Sequence, residues 1–131
     1  DGVLHIEVPD LNASAWDILN PFNKKYLLST RHLFGSHEAH WAVHCEGWSK
    51  RSLTFVLKEL GYGNIIFKKT SWSGIRNLEV IAQKKKNLTD QQKQNAVSKI
   101  FNEYLVDQTE TEKKIHQVWM DGFKDQYQKL T

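Results

Sequence analysis

At 131 residues the chain has the length of one domain, enough to bury a core, and its 40% hydrophobic and 25% charged residues exclude wholesale disorder. The net charge of +3, with no dense Lys/Arg stripe interleaved with aromatics, argues against a nucleic-acid partner. No apolar run approaches the roughly eighteen residues of a membrane span, so no membrane association is expected.

Cys45 is the only cysteine, so no intrachain disulfide can form, which suits a reducing compartment. With no secretory leader legible, the expected location is the cytoplasm. The glycosylation sequons at Asn12 and Asn87 carry no weight without such a leader.

In chain order, Val3 to Val8 alternates Leu4, Ile6 and Val8 with His5 and Glu7, the period of a strand, and Pro9 ends it. From Asp10 to Phe34 the pattern is helical. Asn12 and Ser14 are candidate N-caps, and Pro21 divides the stretch into a short piece and a longer helix carrying Leu27, Leu28, Arg31 and Phe34, with Gly35 as its stop. Gly35 to Trp48, "GSHEAHWAVHCEGW", has no periodicity and reads as a loop. Ser49 caps a helix with Leu53, Val56, Leu57 and Leu60 on one stripe, and Gly61 stops it.

Asn64 to Thr70 and Arg76 to Gln83 read as strands joined by a polar connection. About five residues are too few for a parallel crossover, so these strands should run antiparallel. After the charged stretch "KKKNLTD", Thr89 with Gln92 and Thr109 with Glu112 form capping boxes, each opening an amphipathic helix. The first carries Val97, Ile100, Phe101, Tyr104 and Leu105; the second carries Ile115, Val118, Trp119, Phe123 and Tyr127. Together they read as an α-hairpin. The expected class is α/β, with residues 1–84 as one unit and 85–131 as a helical appendage.

"DGVLHIEVPDL", "WSKRSLTFVLKELGYGNIIFKKT" and "NLEVIAQK", in that order, resemble the fifth strand, the last core helix with its turn and sixth strand, and the seventh strand of class I S-adenosylmethionine-dependent methyltransferases. The resemblance covers residues 1 to 84. It implies a partial Rossmann-like sheet of three strands, the last antiparallel and inserted between the other two. It further implies that the chain is the acceptor-side, C-terminal part of an enzyme active only as the full-length protein. The Gly-rich turn that holds S-adenosylmethionine in that family is absent here. Gly61-Tyr62-Gly63 follows a helix and precedes a strand, the wrong context for such a turn. The cofactor is therefore expected in a missing N-terminal half. Without that half, the strand at residues 3 to 8 should be an exposed edge that promotes self-association into a dimer.

Asp10, just past the first strand, either lines the cofactor cleft, as the resemblance implies, or caps the following helix. His37, His40 and His44 in the loop are candidates for a general base or acceptor contacts, with Trp41, Trp48 and Arg31 as substrate-binding groups. A non-catalytic α/β interaction module is the alternative reading. A third is a metal-binding module built on His37, Glu38, His40 and His44 with Cys45, although this set lacks the Glu-centred zincin arrangement and a thiolate cluster.

Overall fold

The computed structural model describes residues 2–40 and 42–130. Three strands and five helices follow in the order β1 (Val3–Pro9), α1 (Leu11–Leu19), α2 (Tyr26–Phe34), α3 (Lys50–Glu59), β2 (Tyr62–Trp72), β3 (Ile75–Lys84), α4 (Asp90–Asn102) and α5 (Glu110–Leu130). The chain is thus α/β. The sheet order is β1-β3-β2, and β3 is antiparallel to both neighbours. β1 and β2 therefore run parallel to each other, with the last strand inserted between them.

Alternation along the strands gives the sheet two unlike faces. One carries Leu4, Ile6, Ile65, Phe67, Val80 and Ala82, and Leu57 of α3 packs into it. The apolar stripe of α3 buries Leu53 and Leu57 while Lys50, Arg51 and Lys58 stay exposed, the division expected of a helix on one sheet face. Ser49 and Ser52 form a reciprocal capping box at the start of α3. The other face carries His5, Glu7, Thr70, Asn77 and Glu79, through the register pairs Glu7↔Glu79 and Thr70↔Asn77.

Several local expectations are corrected. The N-cap of α1 is Asp10, whose side chain accepts from the Ala13 amide, and not Asn12 or Ser14; Ser14 is fully buried inside the helix. Pro21 separates two helices of nine residues each, not a short piece and a longer one. The polar connection after Thr70 is a two-residue hairpin turn. Trp72 pairs with Ile75 around Ser73 (φ 48°) and Gly74 (φ 81°), both left-handed, so the strands extend further than their apolar pattern suggests.

The C-terminal helices form the expected hairpin and pack on α3 through α4. Thr89 and Gln92 complete their capping box. At Thr109 the box is one-sided, because the Glu112 carboxylate accepts from the Val106 amide. Phe101 meets His116 and Trp119 edge-on, and Lys99 bridges to Glu59 at 2.6 Å. Val118 was expected on the packed stripe of α5. It is 68% exposed, and Met120 is the buried residue, which rotates the contact face by part of a turn.

Candidate functional site

An open pocket of about 350 Å³ sits at the carboxyl ends of the parallel strands β1 and β2. Two residues of α2, Arg31 and His32, form one side, Trp72 at the end of β2 forms another, and Glu38 and His44 come from the loop. The loop is shaped by its own backbone. Gly35 (φ 89°) stops α2, His37 donates its amide to Ala42, and His44 donates its amide to Phe34. This pinned lobe brings His44 back beside the end of α2.

The nitrogen through which each pocket histidine donates follows from its partner. Glu7 is a carboxylate that only accepts, so the Asn77 amide presents its nitrogen to Glu7 Oε1 (2.9 Å) and its oxygen to His32. His32 must then donate Nε2–H to Asn77 Oδ1, at 2.6 Å. The Leu33 carbonyl likewise only accepts, so His44 donates from Nδ1 (3.2 Å). Trp72 stacks on the His32 ring with centroids 5.8 Å apart and planes at 12°, which holds the imidazole in one orientation.

Behind His32 the chain of hydrogen bonds crosses the sheet. Asn77 is buried, and Thr70 donates to the same Glu7 oxygen at 2.6 Å. These bonds, Thr70 first and Asn77 second, hold the Glu7 carboxyl below its ordinary value of 4.5. A carboxyl depressed in the folded state contributes stability that is complete above the unfolded value and fades as pH falls through the lower folded value. The stability gap between the native chain and Glu7→Gln should therefore be widest near neutrality and should close on acidification below 4.5. Urea titrations at about pH 7 and about pH 3 measure it. A gap that does not narrow contradicts an ionised Glu7 at the end of this chain.

Of the residues expected from sequence, Arg31 and His44 line the pocket. His37 and His40 are exposed and do not line it, and Trp41 lies outside the described residues. Trp48 and Cys45 line a different cavity, on the other side of the loop. Asp10 is engaged at the helix cap, where Oδ1 accepts from Ala13 at 3.2 Å. Among the described residues no group of three His, Cys, Asp or Glu stands close enough to hold a metal ion. Sequence reasoning missed His32, Trp72, Asn77 and Glu7. The available signal was Asn77 in the central strand, because a polar side chain buried there requires a partner.

The pocket thus offers two imidazoles, each anchored through one ring nitrogen, a guanidinium and an indole face. Such a set can hold a polar or anionic molecule. Among the described residues, no helix is long and apolar enough to cross a membrane. Set against protein-family models, curated proteins and solved structures, the chain matches none.

Proposed function

We propose that this chain forms the acceptor side of a class I S-adenosylmethionine-dependent methyltransferase. The observation that carries the reading is the sheet order, with an antiparallel last strand inserted between two parallel ones, and a polar pocket at the carboxyl ends of that pair. In this reading Arg31 and Trp72 orient the methyl acceptor. His32, backed by Asn77 and Glu7, takes the proton that a hydroxyl or ammonium acceptor must lose.

The chain's own residues do not make a site for the cofactor. Asp10 is used in capping α1, and Gly61 is the left-handed stop after α3, with the Lys86 carbonyl 2.9 Å from where its Cβ would stand. The cofactor therefore belongs, in this proposal, to a preceding N-terminal half whose last strand pairs with the outer edge of β1. Among the described residues that edge has no partner. In isolation the same edge favours pairing with a second copy. The single exposed thiol, Cys45, fits a reducing compartment such as the cytoplasm.

Calorimetry with S-adenosylmethionine tests the reading. Residues 1–131 alone are expected to give no saturable heat, and the natural polypeptide at full length is expected to bind. A full-length protein that does not bind the cofactor overturns the assignment.

A further inference from the structure

A second cavity, of about 660 Å³, lies where the C-terminal hairpin meets the body of the fold, and it is separate from the pocket at the strand ends. Its size is that of a small-molecule site. Four aromatic residues line it: Trp48 from the loop, Phe101 and Tyr104 from α4 and the turn after it, and Trp119 from α5. The Phe101 and Trp119 rings stand 5.8 Å apart with planes at 60°, so they form two walls at an angle and do not close the space by stacking. Tyr104 and Trp119 remain 48% and 37% exposed, so the walls are open to a guest.

The polar lining is one-sided in charge. Glu46 supplies a carboxylate and Cys45 a thiol, and no Lys, Arg or His lines the cavity. The cation nearest this region by sequence, Lys99, is directed to Glu59 at 2.6 Å. Burial first and the neighbouring Glu46 second push the Tyr104 phenol up, so the ring stays a neutral π donor across the usual pH range. A neutral apolar guest gains nothing from the carboxylate and takes only hydrophobic contact from the rings. A cation gains from both the ring faces and the carboxylate.

We infer that this aromatic cavity binds an alkylated ammonium group, a trimethylammonium head being the chemistry its four rings and single carboxylate suit best. The rings meet the methylated, weakly hydrated surface of such a cation, and Glu46 balances its charge. A bare ammonium is too strongly hydrated to prefer this site. The inference does not depend on the methyltransferase reading, because the two cavities share no lining residue.

The probe is choline, compared with its neutral carbon isostere 3,3-dimethylbutan-1-ol and followed by tryptophan fluorescence. Saturable choline binding about tenfold tighter than the isostere is expected, since cation–π and carboxylate contacts separate the two. Glu46→Gln should weaken choline binding by about five- to tenfold and leave the isostere nearly unchanged, whereas Trp119→Ala should weaken both probes, choline by the larger factor. Glu46 lies on an exposed loop, so its variant is expected to fold normally and keeps the test decisive if Trp119→Ala unfolds. Equal affinity for the two probes, no saturable choline binding, or a folded Glu46→Gln variant that binds choline normally each overturns the proposal.

Discussion

Truncating Leu57 to alanine is expected to cost about 2–5 kcal/mol of folding stability, a large loss for a single apolar side chain. Leu57 is 3% exposed and fills the space between α3 and the sheet, against Val80, Ala82 and the half-buried Leu4, Ile6 and Phe67. Leu57 is the α3 residue at the centre of this cluster, and a close-packed interior relaxes only partly into the cavity left behind. Urea unfolding of the two proteins measures the difference. A loss under about 1 kcal/mol would mean that the α3–sheet contact is not the core.

Gly35→Ala should produce the second large effect, and it links stability to the pocket. Gly35 has φ 89° and ψ 172°, a conformation open only to glycine, which costs other residues about 1–3 kcal/mol. An added Cβ would also stand 2.2 Å from the Ala42 carbonyl oxygen, so the backbone of the 36–44 lobe must move. His44 and Glu38 sit on that lobe, and Arg31 and His32 on the turn of α2 that it caps. The expected result is a loss of about 2–4 kcal/mol, with changed chemical shifts for His32 and His44 in the folded fraction. Gly122→Ala is the matched control. It meets nothing within 4 Å of its new Cβ and replaces glycine inside a helix, so it should fold at least as well as the native chain. If Gly35→Ala behaves like that control, the pinned loop does not exist in solution.

Much of the architecture is legible in the chain because short-range physics sets it. Strand alternation at residues 3–8, the stripe Leu53–Leu57–Leu60, the cap at Ser49, the capping box at Thr89 and the stops at Gly35 and Gly61 are each satisfied within a few residues. Even the antiparallel run of β3 against β2 follows from the length of the connection between them. The misses are also physical. Asn12 and Ser14 have the chemistry of caps, but the helix begins one residue after Asp10, because β1 ends there and Leu11 donates to the Trp48 carbonyl. That bond ties Leu11 to a residue 37 positions away, and no local pattern announces it.

The candidate site lies almost entirely on the long-range side of this division. A histidine-rich loop without periodicity draws attention to His37, His40 and His44. Only His44 faces the pocket, because the Gly35 stop and the Phe34 carbonyl fold the lobe back on itself. His32 looks like one more polar residue on a helix until Asn77, 45 residues later, accepts its proton and Trp72 covers its ring. Trp48 was expected in the same pocket as the histidines but faces the opposite side of the loop, toward α4 and α5.

By itself, then, the sequence determined the elements, most of their ends and the reversal of the last strand, since propensity, capping and turn length act within a few residues. Only the tertiary structure decided which polar side chains share a pocket. Pairing β1 and β2 on either side of β3 brings Glu7, Thr70 and Asn77 onto one face, and α2 lays His32 across it. Contacts between residues 45 to 70 positions apart depend on register and packing, which become defined only once the core has closed.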